Sequence, residues 1–205
     1  MTVRLALAAA VLATVSCSNT KVARQWADPG LKEAAYRKTL VIVLGTASVN
    51  RRETAEDHVV AALGRDGANA LRSWDILSAE AIADRAQLAR VVEAQGADAI
   101  LALRVVTALS SEHVTSGREE WVPVGTGMDY YGYVTTSVAL YRKPDVTTVR
   151  TFVVETTLWD VASRKLVWSA ESDTSTASDT ITTGEVTDDF AKVVAKRVAP
   201  YLRRR

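Results

Sequence analysis

Few side chains in this sequence combine the residue types and spacing that catalysis needs. His58 follows Glu56 and Asp57, an arrangement that a general base with an orienting carboxylate would use. The same stretch is typical of a solvated helix start, and we favour that interpretation. The same holds for His113, which lies beside Glu112. We therefore expect no catalytic residue, and a hydrolase built on His58 is our third choice of function.

Other kinds of site lack the residues that they require. One cysteine cannot form an internal disulfide, and with only two histidines it cannot complete a His/Cys zinc cluster. The strings nearest to a nucleophile elbow and a phosphate-binding loop, at 45–49 and 125–127, each miss a required glycine. We expect neither a metal nor a cofactor.

Opposite charges at the start of the first predicted helix are spaced for ion pairs. Arg51 and Arg52 precede Glu56 and Asp57 by roughly one helical turn. This spacing favours an intrahelical pair worth about 0.2–0.5 kcal/mol in an exposed setting. Anion binding at the helix N-terminus is the weaker alternative.

The single cysteine has a specific chemical use. Residues 1–4 carry a positive charge, and residues 5–15 form an apolar run as long as that of a secretory signal peptide. The string 14–17 resembles the bacterial lipobox, except that Thr14 stands where Leu is usual. In that motif a peptidase cuts before a cysteine whose thiol carries diacylglycerol. We predict lipidation of Cys17; the alternative is an ordinary signal peptide that leaves a free thiol.

The resemblance to a lipobox also implies a domain organisation and a location. Residues 1–16 are the predicted signal peptide, 17–20 a lipidated tether, and 21–205 a single domain. Acyl chains such as palmitate hold a protein on a membrane at roughly 0.8 kcal/mol per buried methylene. In bacterial lipoproteins an Asp after the cysteine favours retention in the inner membrane, so Ser18 implies the outer membrane, facing the periplasm.

An aromatic and glycine-rich stretch is the strongest candidate for an interaction surface. Between about 110 and 133 the pattern indicates a long loop or an extended hairpin. Aromatic rings there offer contact area and polar groups suited to recognition. The four candidate residues are Trp121, Tyr130, Tyr131 and Tyr133. An equally weighted alternative is that they fold back as a lid over the sheet edge.

Composition excludes several classes of protein. The 205 residues fit one domain with a short appendage, and 48% hydrophobic with 24% charged residues are typical of a globular fold. No apolar run approaches the roughly 18 residues that a membrane-spanning helix needs. Lys and Arg total 25 against 24 Asp and Glu, so the near-neutral chain lacks the basic excess that nucleic-acid binding uses.

The first half of the mature chain alternates between strand and helix patterns. Apolar runs at 38–44, 69–77 and 98–109 predict three strands, and the apolar stripes between them predict two helices. Asp84 with Gln87 has the form of a capping box at the start of the second helix. The order βαβαβ predicts parallel strands joined by crossover helices.

The second half has antiparallel character. Residues 149–159 and 165–169 predict a hairpin in which Trp159 and Trp168 face each other across the turn. The Ser- and Thr-rich stretch 172–183 predicts a solvated connection before a closing helix. We therefore predict an α/β fold with α+β tendency. It is a single two-layer sandwich with a mixed sheet of five or six strands, βαβαβ followed by antiparallel strands and a C-terminal helix.

A series of short motifs resembles an uncharacterised family of bacterial envelope lipoproteins. The motifs are WADP at 26–29, Arg52 with Glu56–Asp57, GADAIL at 96–101, YGY at 131–133, ETTLWD at 155–160 and KLVWS at 165–169. The resemblance covers nearly the whole mature chain and assigns no residue a catalytic role, because that family has no established activity. More distantly, the order of elements resembles the curli secretion lipoprotein, the lipoprotein activators of penicillin-binding proteins and the amino-terminal domain of TolB. These act as assembly or regulatory modules.

These observations predict a non-enzymatic outer-membrane lipoprotein. We expect it to bind another envelope protein as an assembly or regulatory module, with the aromatic stretch as the contact surface. The alternative is a module that binds a small molecule or lipid, with the aromatic stretch closing over an apolar pocket.

Overall fold

In the computed structural model the described residues are 20–45, 48–129, 132–177 and 183–202. The predicted signal peptide, Cys17, Tyr130 and Tyr131 lie outside them. The elements follow in the order β1 (Thr20–Ala27), β2 (Thr39–Leu44), α1 (Val49–Arg65), β3 (Ala70–Arg72), α2 (Ala79–Ala83), α3 (Arg85–Gln95), β4 (Ala99–Thr115), β5 (Arg118–Asp129), β6 (Gly132–Arg142), β7 (Asp145–Asp160), β8 (Leu166–Ala177) and α4 (Thr183–Val198). A 3₁₀ turn at Ala199–Tyr201, which contains Pro200, follows α4.

Six strands form one mixed sheet in the order β1-β8-β7-β4-β2-β3. β2 is parallel to β3 and to β4, because helices carry the chain back along the sheet between these strands. β7 is antiparallel to β4 and to β8, and β1 is antiparallel to β8. The predicted α/β class, with a mixed sheet and a C-terminal helix, is confirmed.

Helices cover both faces of the parallel part of the sheet. Val41 of β2 packs in the larger apolar cluster with residues of α1 and α4. Its neighbours Leu40 and Ile42 belong to a second cluster, which includes residues of α2 and α3. A strand buried on both faces needs an almost unbroken apolar sequence, which is why β2 consists of Val, Ile and Leu after its first residue.

The antiparallel part shows the predicted alternation of faces. Along β7, Val154, Thr156 and Leu158 are buried, whereas Glu155 and Trp159 are partly or largely exposed. The buried face packs in the larger cluster together with α4. The predicted packed face and polar face of this strand are confirmed.

The predicted tryptophan pair across the β7–β8 turn is wrong. Trp168 lies opposite Leu158 and is fully buried in the core. A register shift between Leu158 and Trp159 places Trp159 opposite Leu166, where its ring is exposed. The two rings therefore belong to opposite faces of the sheet.

The ends of α3 follow the sequence pattern closely. The Asp84 Oδ1 atom accepts hydrogen bonds from the backbone N–H groups of Ala86 and Gln87, at 2.8 and 3.2 Å, and Gln87 Nε2 donates to Oδ2 at 3.0 Å. These bonds, first of all the one from the Gln87 backbone, lower the pKa of Asp84. Gly96 ends the helix with φ at 61°, a conformation that favours glycine.

The predicted solvated connection at 172–183 is wrong in its first half, because β8 continues to Ala177. Ser172 and Thr174 are buried, yet their hydroxyl groups have partners. Ser172 Oγ donates to the Val154 carbonyl at 3.2 Å, and the Thr174 and Thr20 hydroxyls lie 2.9 Å apart. Hydrogen bonding makes this polar sequence compatible with a buried strand.

β1 forms one edge of the sheet and was not predicted. Thr20, which the sequence analysis places in the tether, is its first residue and is buried. Its hydrogen-bonded partner Thr174 is 154 residues away in the chain. A register shift between Val22 and Arg24 interrupts the pairing with β8. Such irregularities, together with cationic residues such as Lys21 and Arg24, discourage pairing of the free edge with another strand.

Candidate interaction surface

The most conspicuous surface is a two-stranded ribbon at one end of the sheet, which we define as residues 112–148. β4 and β7 pair as far as Thr115 and Asp145, whereas β8 reaches only Val149 of β7. Two-residue connections then lead into the β5–β6 hairpin, which forms a separate two-stranded sheet. Of the two sequence-based alternatives for 110–133, the extended hairpin is confirmed and the long loop is wrong.

Large apolar side chains of the ribbon are exposed. Trp121 is 67% exposed and Tyr141 is 65% exposed. The direct cross-strand pair of Val114 and Val146 is also exposed, as is Leu140. Exposed apolar patches of this kind mark sites of interaction with proteins, membranes or ligands.

The hairpin has two chemically different faces. Trp121 lies opposite Ala139, and Tyr141 opposite Glu119, so both rings lie on one face as diagonal neighbours. The other face carries Leu140 and an ion pair between Arg142 and Glu120. We call the first the aromatic face and the second the Leu140 face.

Gly117, at the base of the hairpin, makes room for the Tyr141 ring. A Cβ atom at position 117 would lie 2.8 Å from Tyr141 Cζ and 3.0 Å from the Arg142 carbonyl oxygen, with the Tyr141 hydroxyl closer still. Real Cβ atoms essentially never approach other heavy atoms so closely. A larger residue at this position would therefore displace the Tyr141 ring from the aromatic face.

The four predicted interaction residues have different outcomes. Trp121 lies on the aromatic face, and Tyr133 lies in β6 opposite Met128. Tyr130 and Tyr131 fall outside the described residues. Sequence reasoning missed Tyr141, because the alternation at 137–142 predicted a strand without showing whether its second face would be covered.

The less favoured alternative, a catalytic grouping of His58 with Glu56 and Asp57, does not assemble. His58 Nδ1 lies 3.5 Å from Asp188 of α4, not beside the neighbouring carboxylates in sequence. Asp188 also contacts Arg65 and Lys192. These partners, first of all Lys192, lower the pKa of Asp188. This cluster joins α1 to α4. The side chain of His113, the other histidine considered above, is not among the described side chains.

Glu56 serves a different purpose, as the centre of a buried network. Oε1 accepts hydrogen bonds from Arg52 Nε at 3.0 Å, from Ser73 Oγ at 2.7 Å and from the Val43 backbone N–H at 3.1 Å. Oε2 accepts a hydrogen bond from the Trp74 backbone N–H at 2.8 Å. The predicted helical ion pair exists, but its exposed setting was wrong: Glu56 is fully buried.

The second half of this charge pattern has a separate role. Asp57 Oδ1 accepts hydrogen bonds from Arg72 Nη1 and Trp74 Nε1, each at 3.0 Å. The Arg72 guanidinium lies 5.0 Å from the centre of the Trp74 ring, within cation–π range. Asp57 thus fastens α1 to the segment after β3. Arg52 does so as well, because its Nη2 donates to Ser73 Oγ at 2.8 Å and to the Leu77 carbonyl oxygen at 3.1 Å, so the Arg52 guanidinium is engaged within the fold.

The open face of the antiparallel strands contains a shallow groove of about 560 Å³. A row of four cross-strand neighbours crosses this face: Arg24, Glu171, Glu155 and Arg104. Arg104 Nη2 pairs with Glu155 Oε2 at 2.7 Å. Trp26, which is exposed, lines the groove together with Ser169. The groove combines an aromatic ring with charged side chains. Its lining residues belong to the six-stranded sheet and not to the ribbon, so this is not an apolar pocket closed by the aromatic stretch.

Among the described residues, no three or more His, Cys, Asp or Glu side chains come together as a group that could hold a metal ion. None of the helices in the described ranges has the length and hydropathy of a membrane-spanning segment.

Solved structures to which the chain is similar include two bacterial proteins. PelC from Paraburkholderia phytofirmans, solved as a dodecamer, is 20% identical with a TM-score of 0.47, over 91% of this chain and 99% of that one. Lipoprotein GNA1162 from Neisseria meningitidis is 17% identical with a TM-score of 0.44, over 78% and 97%. No protein-family model and no curated protein sequence matches the chain. Similarity at this level assigns neither a family nor a function, and the motif-based family resemblance stays a prediction.

Proposed function

We propose that this protein is a non-enzymatic outer-membrane lipoprotein that faces the periplasm and binds another envelope protein. The observation that carries the binding role is the ribbon, whose apolar side chains are exposed along both of its two-stranded parts. The lipobox-like string ending at Cys17 supports the anchor and the location.

The energetics of the ribbon support a protein contact. A two-stranded sheet is at best marginally stable in water, because neither of its faces is packed. Covering Val114 and Val146 removes their apolar surface from water, at about 25 cal/mol per Å². Leu140, which is also exposed, extends this apolar surface onto one face of the hairpin, and an apolar centre is typical of protein interfaces.

The engagement of the charged candidates supports a role without catalysis. His58 is held against Asp188, Glu56 is enclosed with Arg52, and Asp57 is bound by two donors of the β3 segment. A general base must lie within hydrogen-bonding distance of a substrate proton. These three side chains instead bind residues of neighbouring elements.

Intact-mass measurement of the protein purified from membranes tests the anchor. The wild type is expected to lose residues 1–16 and to gain acyl chains on Cys17, whereas Cys17→Ser shows neither change. The thioether needs a thiol, which is why serine cannot substitute. Wild-type protein cut at another bond, with an unmodified thiol, would refute the lipoprotein assignment and the outer-membrane location with it.

Photo-crosslinking in intact cells tests the contact surface. A photoreactive residue at position 114 is expected to give a protein adduct of discrete size, because Val114 lies on the exposed ribbon. The same residue at position 89, on the exposed side of α3, is the matched control. Equal adducts at both positions, or none at 114, would count against the ribbon as the protein contact.

The groove beside Trp26 favours a second candidate function, the binding of a small molecule. Its aromatic ring and its Glu171 carboxylate are suited to a ligand with both apolar and cationic groups. Native mass spectrometry of the purified protein would then show a retained ligand that is lost in Trp26→Ala. A ligand-free spectrum in both proteins leaves this candidate without support.

A further inference from the structure

The point at which the chain enters the sheet limits how far the domain lies from its predicted anchor. Thr20 is the first residue of β1, and three peptide units separate it from Cys17. A fully extended chain of that length spans at most about 11 Å. If Cys17 carries acyl chains, the Thr20 end of the sheet is therefore held next to the bilayer.

The ribbon leaves the sheet at this same end. Thr20 pairs with Thr174, which pairs with Phe152, which in turn pairs with Ala108, so that one row crosses four strands. Beyond this row, in the direction that leads along β1 from Trp26 to Thr20, β4 and β7 continue to Thr115 and Asp145. At about 3.3 Å per residue this extension measures roughly 23 Å before the hairpin begins. Anchor and ribbon thus share one end of the molecule.

The chemistry of the ribbon is that of an interfacial surface held by apolar contact. Trp and Tyr favour the boundary between acyl chains and headgroups, because each ring is apolar with a polar edge. Among the described aromatic side chains of the ribbon, Trp121 and Tyr141 are the most exposed, and they share one face. Residues 112–148 contain three Lys or Arg against five Asp or Glu, so attraction to anionic lipid does not hold the ribbon there.

We propose that the aromatic face of the hairpin rests on the lipid surface of the bilayer that holds the Cys17 anchor. The inference depends on the anchor in the proposed function and not on the identity of the protein partner. In this arrangement the Leu140 face of the hairpin and the Val114–Val146 pair remain open to the partner. The membrane then fixes the orientation in which the ribbon is presented.

Site-specific fluorescence on the lipidated full-length protein tests this arrangement. Because Cys17 is the only native cysteine and its thiol is acylated, a cysteine introduced elsewhere is the sole free thiol. An environment-sensitive label is placed by Trp121→Cys on the aromatic face and by Leu140→Cys on the opposite face. Trp26→Cys is a second control, because Trp26 lies near the C-terminal end of β1, away from Thr20. Each protein is reconstituted in phosphatidylcholine vesicles with or without brominated acyl chains.

Brominated lipid is expected to quench the label at position 121 by about twofold, since interfacial side chains reach the boundary of the acyl chains. Labels at 140 and 26 should keep their emission, and 1 M salt should leave the pattern unchanged. Tyr141→Cys, on the same face, should behave like Trp121→Cys and guards against a fault of one variant. Equal quenching of the labels at 121 and 140 by brominated lipid would overturn the inference. Quenching at 121 that 1 M salt abolishes would overturn it as well.

Two readouts separate failure of this inference from failure of the proposed function. Intact mass reports acylation of Cys17 independently of where the label lies. A label at 121 that is shielded in native membranes but open to an aqueous quencher in vesicles would mean that a protein covers the aromatic face. That result would refute the lipid contact and preserve the protein-binding role.

Discussion

The two ends of β4 lie in opposite environments although they belong to one strand. Leu101 is fully buried between neighbouring strands and the α1–α4 layer, whereas Val114, thirteen residues further on, is 57% exposed. The first end belongs to the folded core, whereas the second leaves apolar side chains exposed to water. Burial that stabilises the fold thus lies in one half of the ladder and the proposed binding surface in the other, so each can be perturbed without the other.

The largest expected effect is in the buried half, at Glu56. Glu56→Ala leaves the Arg52 guanidinium buried without its carboxylate and removes the acceptor of the Ser73 hydroxyl. We expect the free energy of unfolding to fall by about 3–5 kcal/mol, measured by urea denaturation.

Two variants show whether this loss comes from the unpaired charge. Glu53→Ala, one turn earlier in α1, should change the free energy of unfolding by no more than about 0.5 kcal/mol. Arg52→Met with Glu56→Leu should be less destabilising than Glu56→Ala alone, because no charge is left buried. If the double variant is as unstable as the single one, the network contributes through shape and not through charge.

A second effect in the buried half depends on alkaline pH. Burial, assisted by the neighbouring Asp160 carboxylate, raises the pKa of Tyr36 from 10.0 to about 12. Because the folded state holds the phenol proton more tightly, this stabilisation is complete below about pH 10 and is lost as pH rises towards 12. Urea midpoints should therefore fall more steeply between these pH values in the wild type than in Tyr36→Phe, and parallel curves would contradict the assignment.

A smaller effect is expected where α1 meets α4. Lys192, His58 and Arg65 lower the pKa of Asp188, so the stabilisation is present above its ordinary value of 3.8 and is lost as pH falls through the lower folded value. Asp188→Asn should cost less than about 1 kcal/mol at pH 7, since the group is partly solvated. The cost should shrink as pH falls below 3.8 and the carboxylate becomes protonated. Asp189→Asn, next to it, should change little, and an Asp188→Asn deficit that persists in acid would point to a packing effect.

The smallest effect on stability is expected in the ribbon. Val114→Ser with Val146→Ser should change the free energy of unfolding of the purified protein by no more than about 0.5 kcal/mol, because both side chains are already in water. Leu101→Ala in the same strand should cost about 2–5 kcal/mol. Val146→Ser alone should nevertheless weaken the crosslink from a photoreactive residue at position 114 in cells, because Val146 lies directly opposite that position. A large loss of stability would show that the ribbon belongs to the folded core.

The helix-covered half was predictable because local signals and tertiary packing agree there. The unbroken apolar run of β2, the capping box at Asp84 and the glycine at position 96 each require one backbone conformation. Sequence reasoning failed where polar residues were buried with partners, as at Ser172 and Thr174 of β8, or where a charge pair such as Arg52–Glu56 entered the core. In both situations the polar composition predicts exposure to solvent. Only the three-dimensional positions of the hydrogen-bond acceptors show that these side chains can be buried.

The ribbon was predictable in part. Its aromatic content was evident from the sequence, and Trp121 lies exposed on one face of the hairpin. The partnership of Trp121 with Tyr141 was not evident, because it depends on the hairpin register, which brings together residues twenty positions apart. The same applies to Gly117, whose role depends on where the Tyr141 ring lies.

The pairing of β1 with β8 has a consequence for biogenesis. The first strand to be synthesised must wait for a partner 154 residues later, so the sheet closes only when nearly the whole chain is available. Contacts of such long sequence separation form slowly, because the loop entropy must be overcome first. In the lipoprotein proposed above, this delay keeps β1 unpaired, and therefore accessible to export and processing enzymes, until synthesis is almost complete.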